Sequence, residues 1–194
     1  MMGKPSRSCS LFALAGLLLL GAVPSAIGCG LHPSMEVELD GMYPGSLPVA
    51  VALRRAADSG VIDAAALEAP ANGTASYGDT VRRLQAFTKT LAASPAAAEL
   101  PASFSLGYVE SRLWTRYSQS SGQVHADLHT DGPVQGEAVV LTGEPVLTEV
   151  LAGRLSVDRA LADGVILIVG NESDKTAIRR VFVAMSAAPK ISSR

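Results

Sequence analysis

The sequence predicts an α+β domain in which a small, mainly antiparallel sheet is packed by helices on one side. Three observations predict it. Residues 104–141 are rich in strand formers and are punctuated by Ser120-Ser121-Gly122 and Asp131-Gly132-Pro133, the turn chemistry that closes hairpins. Ahead of them, apolar residues recur at helical spacing: Val49, Ala52, Leu53 and Ala56, then Val81, Leu84, Phe87 or Thr88, and Leu91. Behind them, residues 139–170 read as strand, helix, turn, short helix, strand.

That last stretch follows from local chemistry. Val139, Val140 and Leu141 form an apolar run that stops at Thr142-Gly143. Either residue can cap a helix, Glu144 puts a negative charge in its first turn, and Pro145 is tolerated only there. Val146, Leu147, Val150 and Leu151 give that helix an apolar face, and Gly153 is placed to end it. Ser156 caps a shorter helix that ends at Gly164. Residues 165–169 have no polar alternation and read as a strand covered on both faces. A last helix, capped by Ser173, carries Ile178, Val181, Phe182 and Met185, and residues 187–194 read as a tail.

Within 104–141 the pattern predicts two paired strands. In the first, Val109, Leu113 and Tyr117 share a face with Ser111 and Thr115, opposite Tyr108, Glu110, Arg112, Trp114 and Arg116. In the second, Val124, Ala126 and Leu128 oppose His125, Asp127 and His129. Nearer the amino terminus, Met35, Val37 and Leu39 alternate with Glu36, Glu38 and Asp40 as an edge strand would. The first helix follows a turn at 43–46 and stops at Gly60; residues 61–76 read as a loose connection with one helical turn near 64–67. Asp79 caps the second helix, and residues 92–101 form an Ala- and Pro-rich linker.

The amino terminus stands apart. Lys4 and Arg7 precede an apolar run over 11–23, then Pro24 and small residues, the order of a secretory signal peptide. The run falls short of the ~20 apolar residues that a membrane span needs. Cys9 leaves with residues 1–28, so the exported chain keeps Cys29 without a disulfide partner. Residues 26–29, Ala-Ile-Gly-Cys, resemble a bacterial lipoprotein signal, with Ala26 where that family usually has Leu. The resemblance implies lipidation at Cys29 and anchoring to a membrane facing the periplasm; a soluble periplasmic product is the alternative. The organisation expected is signal peptide 1–28, a helical part over 29–100, and the sheet with its helices over 101–186. The mature chain has 14 basic and 18 acidic residues, a net charge of −4, which speaks against nucleic acid as partner.

Few residues suggest chemistry. Two of the three histidines flank a carboxylate in His125, Asp127 and His129, a candidate metal site with a third ligand from Glu110 or His32. Its geometry is awkward, since on a strand His125 and His129 stand about 13 Å apart. The plainer reading is a solvated face pairing with Arg112 or Arg116. No serine lies in a nucleophile elbow, and nothing in the spacing pairs Glu110, Asp127 or Glu137 for acid–base work, so the chain is not expected to be an enzyme. Trp114 is either covered by the Ala-rich linker or part of a binding surface.

Residues 153–156 (Gly-Arg-Leu-Ser), Ala160, Gly164, the apolar run 165–169, Gly170 and the helix after Ser173 resemble the carboxy-terminal half of the sterol-carrier-protein type 2 domain. The resemblance implies a sheet and helices enclosing a hydrophobic tunnel, hence a non-catalytic binding or accessory protein for a lipid or other apolar ligand. Trp114, Leu113, Val150 and Leu151 are its candidate contacts. A metal-binding lipoprotein, and an assembly factor or subunit of a membrane complex, are the alternatives; no cofactor is indicated.

Overall fold

The computed structural model describes residues 42–68 and 74–187. The signal peptide, Cys29, His32, the alternating segment near Val37 and most of the tail lie outside the described residues. The elements run α1 (Ser46–Asp58), α2 (Ala64–Glu68), α3 (Thr74–Ala92), a 3-10 turn (Ala97–Glu99), β1 (Ser103–Tyr108), β2 (Leu113–Ser120), β3 (Gln123–Thr130), β4 (Ala138–Thr142), α4 (Glu144–Leu151), α5 (Val157–Ala162), β5 (Ile166–Val169) and α6 (Glu172–Ala187). Their strands form one sheet in the order β3-β2-β1-β4-β5. Only β1 and β4 pair in parallel; the other three pairings are antiparallel. The fold class is therefore the α+β arrangement that the sequence predicts.

Where the pattern predicts two strands before β4, there are three. The chain reverses over 109–112, with Arg112 at φ 54°. No glycine, proline or asparagine marks that turn, which is why the pattern reads as one long strand. The reversal also re-sorts the faces. Phe104, Leu106 and Tyr108 share a face with Leu113, Thr115 and Tyr117, while Gly107, Trp114 and Arg116 lie on the other.

The first face carries the core. Phe104 stacks on Tyr117 at 5.0 Å between ring centroids, and Phe87 of α3 meets Tyr117 and Phe182 of α6 edge-on at 5.7 and 5.6 Å. Each such pair contributes about 0.5–1.5 kcal/mol beyond the area it buries. Val146 and Val150 of α4 and Ile178 and Val181 of α6 are fully buried in the same core. The α6 stripe is the predicted one, but its cap is not: Asn171 Oδ1 accepts from Asp174 N at 2.9 Å, and Ser173 lies inside the first turn. Likewise α3 begins at Thr74 rather than at Asp79, whose carboxylate pairs with Arg82 one turn on. Ser156 caps α5 as expected, accepting from Arg159 N.

The other face is covered at one end by α1 and the residues before it. Tyr43 packs edge-on against Trp114 at 6.0 Å, and Trp114 is only 6% exposed. Trp114 is thus buried, under Tyr43 rather than under the Ala-rich linker. Its ring lies flat over Gly107, where a Cβ would stand 2.7 Å from Trp114 Cζ3. Glycine is required there by contact, not by φ. We expect Gly107→Ala to lower stability by about 1–3 kcal/mol in urea denaturation and to shift the emission of this one tryptophan to the red; unchanged stability and emission would show the packing to be looser than described.

Candidate functional site

The principal candidate lies between α3 and α4, above the end of β1. Helical spacing builds it from both sides. Thr80, Arg83 and Phe87 fall on one face of α3, and Glu144, Leu147, Thr148 and Leu151 fall on one face of α4. Between them is a cleft of 150 Å³ lined by Arg83, Ala86, Phe87, Tyr108, Glu144, Leu147, Thr148 and Leu151. Apolar side chains form its depth, and charge is confined to its mouth.

A polar clasp closes that mouth. Thr80 Oγ1 donates to Glu144 Oε2 at 2.7 Å, and Arg83 donates to Glu144 Oε1. Arg83 remains half-exposed while the Glu144 side chain is 14% exposed, so the pair is partly shielded and worth more than a surface ion pair. Below it, Glu144 N donates to Glu110 Oε1 at 2.5 Å. A carboxylate thereby sits at the amino-terminal end of α4, where the helix presents unpaired N–H groups. Glu110 Oε2 is buried with no hydrogen-bond partner. Gly143, beside it, leaves no room for a side chain, because a Cβ would come within 2.8 Å of Leu53 on α1.

Burial dominates the titration of this group. It raises the Glu110 carboxyl to about 7, helped by the Glu144 charge and opposed by hydrogen bonds from the backbone at Glu110 and Glu144. Burial also holds the Tyr108 hydroxyl well above its ordinary range, reinforced by Tyr117, Glu144 and Glu110. The site thus keeps its phenol neutral and its inner carboxyl close to half-protonated near neutral pH.

A second polar cluster lies on the opposite face of the sheet. Glu137 Oε2 accepts from Ser105 Oγ at 2.8 Å, from Val134 N at 3.1 Å and from Arg116 Nη2 at 3.3 Å. Burial pushes the Glu137 carboxyl up, but hydrogen bonds from Ser103, Val134, Ser105 and Arg116 outweigh it and leave the group below its ordinary value. An open groove of 610 Å³ runs past this cluster. Its charges are already matched, which fits a role in holding the 131–137 loop to the sheet.

The residues singled out in the sequence are not brought together. Leu151 lines the cleft, Val150 faces the core, Leu113 is half-buried on β2, and Trp114 is on the other face. His125 and Asp127 stand exposed on β3. His129 leaves their alternation, because Thr130 pairs with Trp114 and Leu128 with Thr115, which makes His129 the extra residue of a bulge at φ 64°. Among the described residues no three His, Cys, Asp or Glu side chains group as a metal site. Arg116, expected to pair with this strand, bonds to Glu137 instead. Sequence reasoning missed Thr80 and Arg83 altogether, read Glu144 only as a first-turn charge, and offered Glu110 as a metal ligand, whereas it accepts from Glu144 N. The helical register of α3 and α4 could have aligned the outer three, but only the turn at 109–112 puts Glu110 beneath them.

No protein-family model and no curated protein sequence matches the chain. Among solved structures, a ubiquinone synthesis protein described as UbiJ-SCP2 is similar at 16% identity and TM-score 0.39, over 55% of this chain and 91% of that one. A conserved protein from Thermus thermophilus described as possibly a sterol carrier protein is similar at 18% identity and TM-score 0.30, over 59% and 85%. The inverting sec-alkylsulfatase Pisa1 from Pseudomonas sp. gives 14% identity and TM-score 0.39 over 50% of this chain, which spans 15% of the sulfatase. What the chain binds is therefore read from its own geometry.

The Glu110 value fixes the sign of a pH effect. A carboxyl raised in the folded state from 4.5 to about 7 favours folding fully below pH 4.5, and that contribution is lost as pH rises to about 7. Replacing the carboxylate by a neutral amide removes the loss. We expect Glu110→Gln to match the wild type near pH 4.5 and to exceed it by up to about 3 kcal/mol at pH 8, read from urea denaturation at the two pH values. Parallel profiles for the two proteins would contradict this placement of Glu110.

Proposed function

We propose that the protein is a non-catalytic binding or accessory protein for an apolar ligand, held between α3 and α4, and that the chain is exported and anchored through a lipid on Cys29. The observation that carries the binding role is the cleft itself, with Phe87, Tyr108, Leu147 and Leu151 inside and Arg83 and Glu144 at the mouth. An apolar interior with a few polar groups at its rim is the usual form of a small-molecule site. At 150 Å³ the cleft is smaller than the ~300–1,000 Å³ of most such sites. It admits a short alkyl segment as it stands, and a longer chain on opening of the clasp that joins Thr80 and Arg83 to Glu144. Arg83 and Glu144 are already matched in charge, so the site suits retention rather than turnover. The anchor rests on the order of charge, apolar run and small residues before Cys29. Among the described residues no helix is long and apolar enough to cross a membrane.

Binding is tested by titrating the purified full chain with a fluorescent fatty acid. Saturable binding is expected, and Leu151→Trp, which fills the cleft from a half-buried position, should raise Kd at least about tenfold without changing the circular dichroism spectrum. A wild type that binds no probe and carries no extractable lipid would sink this reading. For the anchor, cells fed radiolabelled palmitate should label the wild-type chain and leave Cys29→Ala unlabelled; an unlabelled, soluble wild type would leave the periplasmic alternative.

A further inference from the structure

We propose that β3 is an edge through which two copies of this chain pair, in an antiparallel seam centred on Ala126. β3 is the terminal strand of the sheet, and none of the described strands pairs with its outer side. Long edges are usually guarded by lysine, proline, bulges or inward-pointing charge; Gln123–Thr130 contains no lysine, arginine or proline, and its bulge lies at one end, at His129. Its pleat is regular: Val124, Ala126 and Leu128 are half-buried on the core face, and Gln123, His125 and Asp127 are exposed on the other.

The occupant follows from the register. When two copies of one strand pair about a two-fold axis, residues directly opposite must share a face, so the axis passes through a residue and not between two. Centring on Asp127 sets two carboxylates against each other. Centring on His125 sets two imidazoles together and leaves Leu128 beyond the overlap. Centring on Ala126 sets Val124 opposite Leu128, Ala126 opposite itself, and His125 opposite Asp127 twice. An imidazole N–H facing a carboxylate and apolar contact are then satisfied together along the seam, each a recognised source of cross-strand stability. The bulge agrees with this register, because His129, at φ 64°, ends the regular edge at Leu128. The five residues 124–128 that remain are symmetric about Ala126. Within its own copy Asp127 is the register partner of Arg116 on β2, whose guanidinium is engaged by Glu137, so the Asp127 carboxylate is left to the imidazole of the second copy.

The test is sedimentation equilibrium of the full chain in excess detergent micelles. The wild type should dimerise. His125→Asp places carboxylates opposite both Asp127 residues and should raise the dimer dissociation constant at least about tenfold. Exchanging the two, His125→Asp with Asp127→His, restores both pairs in this register alone and should return the constant to within about threefold of the wild type. Both positions are exposed, and unchanged tryptophan emission will show that the fold is kept. A chain that is monomeric at every concentration, as it would be if another segment of the same chain covered β3, overturns the proposal. A double variant no better than the single one does so too.

Discussion

The fold depends on one long-range pairing, the parallel alignment of β1 with β4. Every other strand contact is between neighbours in sequence or closes a short unit: β1 with β2, β2 with β3, β4 with β5. Without the β1–β4 pair the chain would be a three-stranded meander beside a separate strand, helix, helix, strand unit. With it, Phe104 stands opposite Ala138 and Leu106 opposite Val140, and the aromatic core receives α3 and α6 on one continuous surface. Burial of the two strands on both faces makes this register costly to shift, since a slip of one residue would carry every buried side chain to the wrong face.

The same pairing creates the candidate site. Parallel strands end together, so the turn after β1 and the start of α4 after β4 are brought to one edge, and Glu110 meets the first N–H of α4. α3 closes over that edge from above through Thr80 and Arg83. The apolar cleft is thus bounded by two helices that are tied at their polar ends and packed at their apolar ones. The clasp consists of a few hydrogen bonds at the mouth of the cleft, while the aromatic core lies beneath it.

Much of this is legible in the chain. The stretch from β4 to β5 reads closely, because its signals are local: an apolar run, a proline in a first helical turn, Ser156 as a cap, Gly153 and Gly164 at φ 66° and 73°. The turn at 109–112 is not legible, because its residues carry no turn signature. Reading through it puts Tyr108 and Leu113 on opposite faces, and it hides the fact that Glu110 leaves the strand to reach α4. The His125, Asp127 and His129 pattern misleads for a related reason, since a bulge that no residue type announces breaks the alternation at His129.

What the sequence determined by itself is the set of elements whose causes lie within a few residues: helical faces, caps, turns and the charge order of the amino terminus. Tertiary structure decided which faces meet. It placed Trp114 under Tyr43, turned Arg116 to Glu137 rather than to β3, and set Arg83 and Thr80 upon Glu144 across more than sixty residues of chain. The physical reason is that periodicity specifies a buried side without specifying its partner. The partner is chosen by the packing of the whole core, and here that choice passes through the pairing of β1 with β4.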